Sequence, residues 1–149
     1  MKTRIAINGF GRIGSVVLRA ILAEKYNVEV AAINTDGRFD VESFAMQFKY
    51  DSVYGRSPWK VAFSEPQKAM EIGRLEIGEN SIPVFGQMDP AKIPWKNYGV
   101  DVVLECTGAF TDSKALAHIK AGAKKVVISA PTKDKTIPTY ILGVNDDKY

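Results

Sequence analysis

Three glycines, Gly9, Gly11 and Gly14, follow the apolar run Ile5-Ala6-Ile7-Asn8 at the spacing Gly-x-Gly-x-x-Gly, and their chemistry is anion binding. Gly9 permits a tight turn, Gly11 leaves bare backbone for a pyrophosphate, and Gly14 lets the next helix pack closely on the strand. The orphan N–H groups and positive dipole end of that helix then face the phosphates. A glycine turn that serves only helix–strand packing would carry the same letters. Position separates the two readings: a strand precedes the glycines, and Val16, Val17, Ala20, Ile21 and Glu24 continue at helical spacing. A second strand, Val28 to Asn34, closes a unit of about thirty residues. A dinucleotide is the ligand this unit implies.

The second strand ends in Asn34-Thr35-Asp36-Gly37-Arg38. An acid about 20 residues past the glycines accepts hydrogen bonds from the adenosine ribose, whereas an Arg accommodates a 2′-phosphate, so Asp36 and Arg38 are the candidates for NAD and NADP. Asp36-Gly37 as a plain turn explains the same residues, and both readings stand. Cys106 ends an apolar strand beside Glu105, whose charge disfavours a thiolate, and reads as structural. His118, between Ala117 and Ile119, reads as a surface or half-buried helix residue. One Cys and one His cannot assemble a zinc ligand set. No catalytic residue and no metal site are expected.

The elements that must hold the glycine turn alternate along the chain. Asp40 reads as an N-cap, with Val41, Phe44, Ala45 and Phe48 as the apolar stripe of a helix ending near Tyr50-Asp51. From Tyr54 to Asp89, prolines, glycines and short apolar runs (Val61 to Phe63, Leu75 to Ile77, Ile82 to Phe85) predict an inserted hairpin region, too short to bury a core of its own. Ile82 to Phe85 reads as a parallel strand in which Pro83 suits a strand start or an edge. Strand and helix then resume with Val100 to Cys106, a helix from about Asp112 carrying Ala115, Leu116 and Ile119 on one face to Gly122, a strand from Lys125 to Ser129, and a last strand from Tyr140 to Val144. The expected fold is α/β: a doubly wound parallel (Rossmann) sheet with a small antiparallel hairpin insertion, residues 1–149 forming one dinucleotide-binding domain. Its ligand belongs beyond the carboxyl ends of the strands.

Composition narrows the function classes. Hydrophobic residues at 46% and charged residues at 25% are ordinary for a globular protein. Scattered Lys and Arg with a net charge of +3 give no support to nucleic-acid binding. No apolar run reaches the length of a membrane span, the start MKTRIAINGFG shows no signal-peptide core, and one cysteine cannot make an internal disulfide. A cytoplasmic location is expected.

Six blocks, in order, carry a family resemblance: INGFGRIG at Ile7–Gly14, KYDSVYG at Lys49–Gly55, DP…PW at Asp89–Trp95, ECTGAFTD at Glu105–Asp112, AGAKKVVISAPTKD at Ala121–Asp134, and GVN at Gly143–Asn145. Together they resemble the amino-terminal cofactor-binding domain of glyceraldehyde-3-phosphate dehydrogenase. The resemblance implies oxidation of the aldehyde with NAD and inorganic phosphate. It implies that Gly9, Gly11, Arg12, Ile13 and Gly14 cradle the pyrophosphate through main-chain groups, that Thr107 and Gly108 touch the cofactor, that Phe110 flanks the adenine, and that Ser129 approaches the nicotinamide. Two positions depart from the family pattern. Thr35 stands where an acid is common after Asn34, which leaves NAD against NADP open, and Met88 stands where an Arg commonly precedes Asp-Pro.

The family's thiolate lies in a Ser-x-x-Cys-Thr-Thr segment shortly after the stretch matching Gly143–Asn145, and its catalytic histidine lies later still; neither motif occurs in these 149 residues. The chain is therefore expected to bind cofactor without turnover, to want a catalytic domain as partner, and to self-associate through a face that a carboxyl-terminal helix covers in the family. Alternatives are an erythrose-4-phosphate dehydrogenase, a stand-alone dinucleotide-binding module, or one half of a split enzyme.

Overall fold

Burial along the first strand, β1 (Thr3–Asn8), alternates between two cores. Ile7 packs with Phe10, Leu18, Ile33, Phe44 and Phe48 on one face, while Ala6 packs with Ala32, Phe85, Trp95 and Val103 on the other. Successive strand side chains point to opposite faces, so a sheet covered on both sides needs consecutive apolar residues, as Ile5, Ala6 and Ile7 supply in the buried part of β1. The computed structural model describes residues 1–24 and 26–149.

The first face is covered by α1 (Arg12–Ala23) and α2 (Val41–Lys49). As expected, Asp40 caps α2, its carboxylate accepting from the Ser43 amide at 2.8 Å. Between the helices runs β2 (Val28–Asn34), and α2 leads into a separate two-stranded antiparallel ribbon, β3 (Tyr50–Asp51) with β4 (Gly55–Arg56). Next come β5 (Val61–Ser64), β6 (Glu71–Ile77) and β7 (Asn80–Phe85), antiparallel to one another in turn. This antiparallel unit is the expected insertion, and β7, at Ile82 to Phe85, also pairs in parallel with β2 and so joins it to the main sheet. Pro83 therefore sits in an interior strand rather than at an edge or start. The parallel pairing with β2 begins only at Val84, immediately after it. Glu71 at the start of β6 is buried and accepts from the Tyr98 hydroxyl at 2.8 Å and Arg74 at 3.0 Å. Burial, then the hydrogen bond to Glu71, pushes the Tyr98 hydroxyl up to about 12.

On the other face, 3-10 turns at Pro90–Lys92 and Trp95–Tyr98 precede β8 (Val102–Glu105), and β9 (Lys125–Ile128) closes the sheet. The helix expected from Asp112 is broken: a 3-10 turn at Ser113–Leu116 passes into a short α3 (Ala117–Lys120). Its buried positions are Ala115 and His118, while Leu116 and Ile119 are exposed. The strand expected at Tyr140 to Val144 is a turn, followed by a 3-10 turn at Asp146–Lys148.

The seven-stranded sheet has the order β5-β6-β7-β2-β1-β8-β9, with parallel pairing from β7 through β9. It is a mostly parallel α/β sheet of the Rossmann type. The chain leaves β1 for β2 on one side and later returns to β8 on the other, so the strand order reverses at β1. A crevice beyond the carboxyl ends of β1 and β8 is where such sheets take ligands.

Candidate functional site

Gly9 follows β1 directly, at φ +95°, a conformation that strains any L side chain. A Cβ there would lie 2.8 Å from the Thr107 amide nitrogen, so the turns after β1 and β8 can touch only because Gly9 has none. At Gly14 a Cβ would run into the carbonyl oxygen of Gly9, which makes this glycine the close contact between α1 and the turn. Gly11 differs from both. A Cβ there would meet nothing within 4 Å, and the residue is exposed. Gly11 is also the N-cap of α1, with no side-chain cap and no acidic residue in the first turn. The amino-terminal N–H groups of α1 thus have no side-chain cap and no acid within the helix's own first turn. Arg12 and Ile13, both exposed, complete the turn.

In the turn after β8, Thr107 and Gly108 are exposed, and Gly108 takes φ +72° with open space where a Cβ would be. These glycines fit a phosphate-bearing ligand: two are filled against backbone, while Gly11 and Gly108 border empty space. Phe110 is half-buried with its ring edge-on to His118, centroids 6.4 Å apart. Ser129 follows β9 and is exposed, its hydroxyl and amide both donating to the Glu105 carbonyl at 3.0 Å.

At the end of β2, Thr35 is buried, its hydroxyl donating to the Phe85 carbonyl at 3.2 Å and accepting from the Gly37 amide at 3.2 Å. It braces the turn. Asp36 and Arg38 sit on the surface beyond it and bind each other, Arg38 Nε to Asp36 Oδ2 at 2.6 Å. The Arg38 amide and side chain hold the Asp36 carboxyl below its ordinary range. Acid and base thus occupy one spot, as a pair. Met88 is exposed, two residues past Gly86, whose backbone packs on Gly37.

Beneath these turns lies a network that the sequence reading did not find. Glu105 and His118 are fully buried. Trp95 Nε1 donates to His118 Nδ1 at 3.0 Å, so the imidazole proton sits on Nε2, which donates to Glu105 Oε2 at 2.9 Å. Glu105 also accepts from Asn8 Nδ2 at 2.5 Å, from the Thr107 amide at 2.8 Å and from the Thr107 hydroxyl. Asn8 Oδ1 accepts from Asn34 Nδ2 at 2.7 Å, and Asn34 is bonded in turn to both main-chain groups of Gln87. Burial pushes the Glu105 carboxyl up, but the donors from His118, Thr107 and Asn8 outweigh it and hold the group below its ordinary range. His118 is therefore a core residue, not the surface or half-buried one its helical setting implied. Burial pushes the Cys106 thiol up, and the Glu105 charge adds to it, in keeping with a structural cysteine. No group of three or more metal-ligating side chains occurs among the described residues.

A mostly parallel sheet whose first strand ends in a bare glycine turn capping a helix, at the point where strand order reverses, defines a nucleotide-binding α/β fold. The family described as glyceraldehyde 3-phosphate dehydrogenase, NAD binding domain, matches residues 3–113. The chain belongs to that family. It is 48% identical over 147 residues to the cytosolic glyceraldehyde-3-phosphate dehydrogenase of Chondrus crispus, covering 98% of this chain and 41% of the relative. Identity to the cytosolic glyceraldehyde-3-phosphate dehydrogenase GAPC2 of Arabidopsis thaliana is 48% over 149 residues, covering 99% and 41%. With glyceraldehyde-3-phosphate dehydrogenase 1 of Streptomyces avermitilis it is 45% over 150 residues, covering 100% and 42%. The chain thus spans about two fifths of the length of these relatives.

Proposed function

We propose that residues 1–149 form one dinucleotide-binding domain of a phosphorylating glyceraldehyde-3-phosphate dehydrogenase, and that the cofactor lies across the turns after β1 and β8. The observation that carries this reading is Gly11: an uncapped helix amino terminus facing open space, between two glycines whose missing side chains are filled by backbone. In this reading the main-chain groups of Gly9, Gly11, Arg12, Ile13 and Gly14 hold the pyrophosphate. Thr107 and Gly108 line the opposite wall, Phe110 flanks the adenine and Ser129 lies toward the nicotinamide. Bound NAD would supply a hydride acceptor; the protein's part is to bind it, orient it and keep its phosphates paired with N–H donors.

Asp36 accepts from the ribose hydroxyls when NAD binds, at the cost of its pairing with Arg38, and Arg38 turns to the 2′-phosphate when NADP binds. Thr35 serves the turn, and Met88 borders the adenosine end without a charge. NAD is the favoured ligand, because Asp36 is the less exposed of the pair. Cys106 and His118 are both committed to the core, so this polypeptide alone binds cofactor without turning over aldehyde, and a catalytic domain is its natural partner. A stand-alone module, half of a split enzyme and an erythrose-4-phosphate dehydrogenase share the same site. Exposed Tyr50, Val53 and Tyr54 favour self-association. Two relatives named cytosolic favour a cytoplasmic setting. No helix among the described residues is long and apolar enough to cross a membrane.

Calorimetric titration with NAD and with NADP tests the reading: saturable binding, tighter for NAD, is expected. Failure of both to bind at millimolar concentration would contradict it. Aldehyde- and phosphate-dependent NADH production by this polypeptide would contradict the absence of turnover.

A further inference from the structure

Glu105 is an acceptor with four donors and no solvent, and each chain of donors leads back to a residue beside a site turn. Asn8 precedes Gly9; Asn34, which reaches Glu105 through Asn8, precedes Thr35; Gln87, which holds Asn34, precedes Met88; Thr107 is itself in the site. The carbonyl of Glu105 holds Ser129, and the ring of His118 backs Phe110. A carboxylate can only accept, so its four donors cannot exchange roles, and the arrangement has one hydrogen-bonding solution. His118 fixes it from behind, since Trp95 compels the ring to present Nε2–H to Glu105.

We propose that Glu105, held by His118, is the positioning residue of the cofactor site: the shared acceptor that sets the turns after β1, β2 and β8 at the spacing a dinucleotide requires. This rests on the reading that NAD binds across those turns. Neither side chain touches the ligand. Both act through backbone that does.

The test compares His118→Gln, which keeps one donor and one acceptor, with His118→Leu, which removes both. Amide exchange is followed without ligand and NAD affinity by titration. In His118→Leu the amides of Gly9, Cys106, Thr107 and Ala109 should exchange about ten-fold faster or more, with the β6–β7 amides unchanged, and NAD should bind about ten-fold more weakly. His118→Gln should restore both to within about three-fold of the parent. Wild-type exchange and affinity in His118→Leu would overturn the proposal, as would acceleration spread evenly over the sheet that Gln does not restore.

Should the Leu variant fail to fold, Thr107→Val removes one Glu105 donor from the rim, and the amides of Gly9 and Cys106 should show the same selective gain, Ala109 being set aside because its amide donates to the Thr107 hydroxyl directly; unchanged exchange at Gly9 and Cys106 would overturn the proposal. With one histidine in the chain, imidazole 15N shifts report its tautomer directly. An Nε2–H tautomer is expected in the parent, and an Nδ1–H tautomer would also overturn it. Lack of NAD binding by the parent refutes the binding reading alone, because the exchange arm is read without ligand.

Discussion

At the scale of single residues the three glycines are not equivalent, and the difference can be measured. Gly14→Ala forces a Cβ into the Gly9 carbonyl, so it should destabilise the chain by about 1–3 kcal/mol and abolish NAD binding. Gly11→Ala meets no protein atom and should change stability by no more than about 1 kcal/mol, yet it places a methyl where the pyrophosphate approaches. Chemical denaturation beside an NAD titration separates the two. These glycines were legible in the sequence because a glycine's role is local: the turn it permits lies within a few residues of it. His118 was not legible. Its partners Trp95 and Glu105 lie 23 and 13 residues away, and only the packing of α3 over the ends of β1 and β8 brings them together. The one available signal was an acid, Glu105, ending an otherwise apolar strand, which demands buried donors.

Among elements, α1 and α2 begin in opposite ways. Asp40 caps α2, and its carboxyl is held below the ordinary range by the Ser43 hydrogen bonds. Asp40→Ala should lower the thermal midpoint and leave NAD binding intact. The amino terminus of α1 has only glycine, which leaves its N–H groups for a ligand. The strands β1, β2, β8 and β9 and the helix α2 were legible from apolar runs and caps, because their periodicity reflects the faces they bury. The antiparallel strands between Tyr54 and Asp89 were legible from their prolines, glycines and short apolar runs, and so was Ile82 to Phe85 as a parallel strand, but the choice of β2 as its neighbour has no local signature. Tyr140 to Val144 has a strand's composition without a strand partner, and it remains a turn in which Ile141 and Leu142 are exposed. Leu116 and Ile119 lie outward because the 3-10 turn at Ser113–Leu116 shifts the helical phase and carries Ala115 and His118 inward.

For the whole molecule, acid is the expected weakness. The carboxyls of Glu71, Asp101 and Glu105 are all held below their ordinary ranges in the folded chain. A carboxyl depressed by folding contributes stability that is present above its unfolded value and lost as pH falls through its folded value. Stability should therefore be level near neutral pH and decline once pH drops below about 4.5, the ordinary value for a glutamate. Glu105→Gln should lower stability at neutral pH by about 1–3 kcal/mol, because its amide cannot accept from all four donors and leaves a buried one unsatisfied. The variant's acid decline should also be shallower, by one fewer proton taken up on unfolding. Denaturation midpoints of parent and variant across pH 3 to 7 check both parts, with the window set by the same linkage.

The central claim is that this fold holds a dinucleotide on the bare amino terminus of α1. Titration of NAD into the parent chain and into Gly11→Ala, under identical conditions with both shown to be folded, tests it most directly. The account predicts saturable binding by the parent and none by the variant. Equal binding by the two, or no binding by the parent, would contradict it.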